Sequence, residues 1–124
     1  MSWDARSAAA LITALRRRHH DLTEVEVKSA AAGVPALGPT LCAFGNMPEG
    51  GTIILGLDES RGFAPTGLTE VSALEQAVAA QASSVVPPVQ VSFTQMEVDG
   101  SATLFVDVAG LRREIGRASC RERV

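Results

Sequence analysis

The chain has no tyrosine and one tryptophan in 124 residues, and aromatics make up only 4% of it. So few rings leave little from which to build a stacking platform for single-stranded nucleic acid. No apolar run reaches the ~18 residues that a membrane-spanning helix requires. The first ten residues include Asp4 and lack the basic start, apolar centre and cleavage site of a secretory signal. Two cysteines, Cys42 and Cys120, are too few for a disulfide-rich scaffold or a four-cysteine zinc site. His19 and His20 have no partners at metal-ligand spacing. No G-x-x-x-x-G-K-S/T stretch occurs, so a Walker A nucleotide loop is excluded. What is present, 46% hydrophobic and 20% charged residues, is ordinary for one soluble globular domain and too apolar for disorder. A cytoplasmic location is the expectation.

The last ten residues, from Ile115 to Val124, back-translate to a string resembling a sequencing adapter, and such scars are set aside in fold reasoning. The expected division is a domain over 1–113 and a non-native tail over 114–124, with a downstream region missing. Residues 115–124 hold three arginines and one glutamate, so the remainder carries eight basic and thirteen acidic residues, a net charge of −5 against −3 for the whole chain.

Along the chain, Ala8, Leu11, Ile12 and Leu15 repeat at helical spacing. Ser2 is the expected N-cap, and Asp4 falls in the first turn. Val25 and Val27 alternate with Glu24, Glu26 and Lys28, the period of a strand. Leu37, Leu41 and Phe44 mark a second, buried helix, stopped by Pro48 and the Gly50–Gly51 pair. Thr52 to Leu57 is a continuous apolar run that suits a central strand covered on both faces. Thr69 is the expected N-cap of a third helix carrying Val71, Leu74, Ala77, Val78 and Ala82. Two alternating strands then flank Asp99–Gly100, a hairpin signal. The pattern predicts helices near 4–18, 36–46 and 70–83 and strands near 24–28, 52–57, 89–98 and 102–109. The fold class is therefore α/β (α+β): a single domain, order α-β-α-β-α-β-β, with a mixed sheet of about four strands. Leu11, Leu15, Val25, Val27, Leu41, Phe44, Ile53, Leu55, Leu74, Val78, Val91, Phe93, Leu104 and Val106 are the expected core. Cys42, beside Phe44, is expected to be a small core residue.

Four segments carry a family resemblance. Thr23 to Lys28 is similar to a "vEfK" strand, Leu41 to Asn46 to "isAFaN", and Gly50 to Asp58 to "GGtlliGvdd". Gly62 to Leu68, a helix and Pro87–Pro88 then follow in order. Over residues 20–110 the chain resembles the Schlafen/Alba-type DNA-binding domain of bacterial transcriptional regulators, often labelled divergent AAA or ATP-binding proteins. Three features depart from the pattern: Gly45 replaces an alanine, Val27 replaces a phenylalanine, and Met47-Pro48-Glu49 lengthen a turn.

The resemblance implies an Alba/Schlafen-core-like fold and a nucleic-acid-binding, non-enzymatic role, with DNA placed before RNA as partner and no cofactor. Candidate contacts are Arg16, Arg17, Arg18, Lys28, Asn46, Gly50 and Gly51. Backbone amides of the glycine-rich turn can hold a phosphate oxygen, or the glycines can simply permit a tight turn. Arg16 to Arg18 can contact phosphates or balance the helix dipole. With an acidic chain, binding is expected to be weak and salt-sensitive. The resemblance also implies an alternative, an endoribonuclease in which Asp21, Glu26 and Asp58 hold Mg²⁺ or Mn²⁺ and activate water; the plain reading is three surface acids. A third possibility is a homodimerisation or protein-interaction module. No membrane partner is expected.

Overall fold

The computed structural model describes residues 3–18, 24–110 and the backbone of 121–122. Helix α1 (Ala5–Arg18) starts where Asp4 and Ser7 cap each other: the Ser7 amide donates to Asp4 Oδ1 at 2.7 Å, and the Asp4 amide donates to Ser7 Oγ at 3.1 Å. Asp4 thus takes the capping role expected of Ser2, which lies outside the described residues. Ala8, Ile12 and Leu15 form the buried stripe, and Leu11 is half-buried at its margin.

Strand β1 (Val25–Lys28) crosses over through α2 (Gly38–Gly45) to the parallel strand β2 (Gly51–Leu55). Gly56, at φ +107°, then turns the chain out of the sheet, so the expected run through Leu57 is cut. The next two residues form β3 (Leu57–Asp58), paired with β4 (Ala64–Pro65) across a one-turn 3-10 helix at Glu59–Arg61. Helix α3 (Val71–Ser84) follows, with Glu70 rather than Thr69 at its N-cap position and no side-chain cap hydrogen bond. The two-residue strand β5 (Val85–Val86) leads to the hairpin of β6 (Val91–Val98) and β7 (Ser101–Val108). Its turn has Asp99 at φ +51° and Gly100 at φ +80°, both positive as a type I′ turn demands. Strand β8 (Arg121–Glu122) lies antiparallel to β5; the rest of the expected tail is outside the described residues.

The main sheet has the order β1-β2-β7-β6, parallel between β1 and β2 and antiparallel elsewhere, and with its helices it makes the α+β domain the sequence predicts. Its two faces bury separate cores. On one, α2 and α3 cover Ile53, Leu55, Leu104, Val106 and Val108, and Leu37, Leu41, Phe44, Leu74 and Val78 come from the helices and their approaches. On the other, α1 covers Val25, Val27, Ile54, Val98 and Phe105, joined by Leu57 and Phe63 from the loop after β2. Strands β2 and β7 are central, so their buried side chains point alternately to both cores. Val91 and Phe93 reach the α2/α3 core only half-buried, because β6 is an edge strand. Cys42 also packs there, half-buried. Among the described residues, no helix is long and apolar enough to cross a membrane.

Candidate nucleic-acid interface

The strand register sets where each candidate lies. Gly51 begins β2 opposite Val108, the end of β7, and the Thr52 amide donates to the Glu24 carbonyl just before β1. Leu55 ends β2 beside Lys28 and Leu104, and the Gly56 amide donates to the Lys28 carbonyl. One end of the sheet therefore holds Asn46, Gly50 and Gly51; the other holds Lys28, Asp58 and the Asp99–Gly100 turn. Four residues of extended chain, about 13 Å, separate Gly51 from Leu55.

Helix α1 brings its basic end to the second of these. Arg16 Nε donates to the Gly62 carbonyl, and Nη2 donates to the Phe63 carbonyl and to Asp99 Oδ2. Arg16 is thus spent on tying α1 to the loop after β3 and to the hairpin turn. Arg17 and Arg18 stand exposed one and two residues on, and neither enters an ion pair among the described residues. Lys28 Nζ, at the same sheet end, pairs with Glu26 at 3.2 Å. By sheet end, the seven candidates divide into the arginines and Lys28 at one and the glycines and Asn46 at the other; Lys28 alternates with Val25 and Val27, so its side chain leaves the sheet on the face away from α1.

The glycine turn is packed against the fold. Gly50 sits at φ +69°, its amide donates to the Met47 carbonyl, and a Cβ there would overlap the Val108 carbonyl oxygen. A Cβ on Gly51 would lie 2.5 Å from the Phe44 ring. The Asn46 amide closes α2 on the Cys42 carbonyl, while its side chain is exposed. Close approach to β7 and to Phe44 is enough to require both glycines.

This end also forms an open cleft of about 600 Å³, lined by Glu24, Glu49, Gly50, Gly51, Thr52, Ser92 and Asp107 among others. Among the described residues, three carboxylates and no arginine or lysine line it, so the field of these residues opposes a phosphate. Asp107 Oδ1 accepts from Trp3 Nε1 at 3.0 Å and from Thr52 Oγ1 at 2.9 Å; Oδ2 is buried without a hydrogen-bond partner among the described residues. The Trp3 ring packs on Phe105 with centroids 5.1 Å apart. Neither the cleft nor Asp107 was legible in the sequence: Glu24, Glu49 and Asp107 are distant along the chain, and only the register gathers them.

Of the acidic trio, Asp21 lies outside the described residues. Glu26 is engaged by Lys28, and Asp58 Oδ1 accepts from the Ser60 amide and hydroxyl, capping the 3-10 turn. Among the described residues, no group of three or more His, Cys, Asp or Glu side chains is placed to hold a metal ion.

Comparison with known proteins places this geometry. A family model described as Schlafen, AlbA_2 matches residues 21–117. The N-terminal domain of an ATP-dependent DNA helicase RecG-related protein from Nitrosomonas europaea, solved in solution, superposes with a TM-score of 0.69 at 23% identity, over 94% of this chain and 88% of that one. The DIP2311 protein from Corynebacterium diphtheriae superposes with a TM-score of 0.51 at 18% identity, over 96% of this chain but only 27% of that one. At such identities the likeness is one of fold. No curated protein matches the chain.

Proposed function

This chain belongs to the Schlafen AlbA_2 family, and from that premise we propose that it is a cytoplasmic nucleic-acid-binding module, of a transcriptional-regulator type, that engages phosphates without catalysing a reaction. The observation that carries the reading is the pair Arg17 and Arg18, exposed at the end of α1 with no ion-pair partner among the described residues. Arg16 supports the surface by holding the helix end in place and is not itself a contact. Family membership and the fold shared with a domain of a helicase-related protein agree with such a role. Asn46, Gly50 and Gly51 fall outside the proposed surface, because the carboxylates beside them repel phosphate.

Two or three cations on an acidic chain give weak, sequence-independent affinity that falls as counterions compete. Duplex DNA is proposed ahead of RNA, because the scarcity of rings disfavours stacking on unpaired bases. Titration of labelled duplex DNA, single-stranded DNA and RNA at two salt concentrations tests the reading. Binding at low salt that fades at high salt supports it; no binding to any of the three at low salt refutes it.

A further inference from the structure

The two edges of the main sheet are built differently. Strand β1 is four residues long and carries Glu26 and Lys28, the short, charged kind of edge that resists pairing. Strand β6 is eight residues long, has no proline, pairs with β7 without interruption from Val91 to Val98, and carries a single charge, Glu97. Among the described residues no strand pairs with its outer side. The Ala109 amide donates to the Gln90 carbonyl, so Gln90 faces β7. Alternation along the ladder then turns the amides and carbonyls of Val91, Phe93, Gln95 and Glu97 outward.

We propose that this edge pairs with β6 of a second copy of the chain, antiparallel across a two-fold axis at Thr94, joining two sheets into one. The sequence of β6 fits itself in that register. All four outward residues enter the ladder, Phe93 opposite Gln95 and Val91 opposite Glu97. Thr94 faces Thr94 of the other copy, a favourable cross-strand pair. The two Glu97 carboxylates are then six residues apart along the ladder, about 20 Å, which is beyond the screening length at physiological salt. Phe93 and Met96, both half-buried in one chain, gain cover on opposite faces of the joined sheet. Each copy carries a net charge of −3, so added salt strengthens the pair, the reverse of its effect on nucleic-acid binding.

Sedimentation of the whole chain over a wide concentration range, at low and high salt, reads the association. The expected result is a monomer–dimer equilibrium that tightens with salt and weakens about tenfold or more in Gln95→Pro, which removes an outward amide from each copy. Oxidative cross-linking reads the register. Thr94→Cys brings two Cα atoms to about 4.5 Å, within disulfide reach, and should form a covalent dimer above the wild-type background. Glu97→Cys should not. A chain that stays monomeric throughout, a dimer that a folded Gln95→Pro leaves intact, or equal cross-linking by both cysteine variants overturns the proposal. Should Gln95→Pro fail to fold, the two cysteine variants decide alone.

Discussion

Arg16 reaches Asp99 across 83 residues of sequence, and the same guanidinium also holds the Gly62 and Phe63 carbonyls. The ion pair joins two partly exposed side chains, 40% and 63% accessible, so Coulomb attraction contributes little there. The carbonyl bonds matter more, because one is partly buried and all are charge-assisted. Arg16→Ala should destabilise the fold by about 1–2 kcal/mol, whereas Asp99→Asn, which removes the charge and keeps a residue that tolerates the left-handed turn position, should cost under about 1 kcal/mol. Arg17→Ala should leave stability unchanged. Urea melts of the three variants check this ordering, and an equal loss in Arg16→Ala and Arg17→Ala would contradict it.

Gly50 and Gly51 respond to alanine for different reasons. Gly50→Ala meets both a left-handed φ of +69° and the Val108 carbonyl, which is backbone and cannot step aside. Gly51→Ala meets the Phe44 ring, which can shift. The expected losses are about 3 kcal/mol or more at Gly50 and about 1–3 kcal/mol at Gly51. Denaturant unfolding measures both. Nucleic-acid affinity per folded molecule should stay at the wild-type level in Gly51→Ala.

Much of this was legible beforehand, and the gaps have a common cause. The alternation of Val25 and Val27, the apolar Thr52 to Leu55 run and the Asp99–Gly100 turn are local signals, and each produced the expected element. The break at Gly56 was hidden because the apolar run continues into Leu57, which is also buried but in the other core. Phe63 enters that core from a loop that has no periodicity to betray it. The candidate site needed the register. Nothing local separates Arg16, committed to Asp99, from its neighbours Arg17 and Arg18. Nothing local sets Gly50 at the opposite sheet end from Lys28, or places Glu24 and Glu49 in one cleft with Asp107.

Asp4 predicts a pH dependence. Hydrogen bonds from the Ser7 amide and then the Ser7 hydroxyl hold its carboxyl below the ordinary value of 3.8. A carboxyl depressed in the folded state stabilises above its unfolded value, and that contribution is lost as pH falls through the folded one. Wild type should therefore lose helicity at α1 on acidification below about 3.8. Asp4→Ala should start from a lower melting temperature near neutral pH and show a smaller acid-induced drop. Circular dichroism melts across that range compare the two, and parallel curves would contradict the capping role.

The proposed boundary near residue 113 can be tested by removing residues 115–124. Strand β8 is two residues long, so its few backbone bonds to β5, each worth about 1 kcal/mol net, are offset by the cost of ordering the segment. With both measured in reducing buffer, the shortened chain should melt within about 4 °C of the full one, the shift expected for roughly 1 kcal/mol in a small domain. A much larger drop would make those residues part of the fold.

In the proposed function, Arg17 and Arg18 contact phosphate and Arg16 does not. The salt dependence of duplex-DNA binding measures it most directly, in the wild-type chain and in Arg17→Ala/Arg18→Ala. Each phosphate contact contributes about 0.9 to the slope of log K against log salt. The double variant should bind more weakly, with a slope smaller by about 1.8 and an unchanged melting temperature. An unchanged slope and affinity would contradict it.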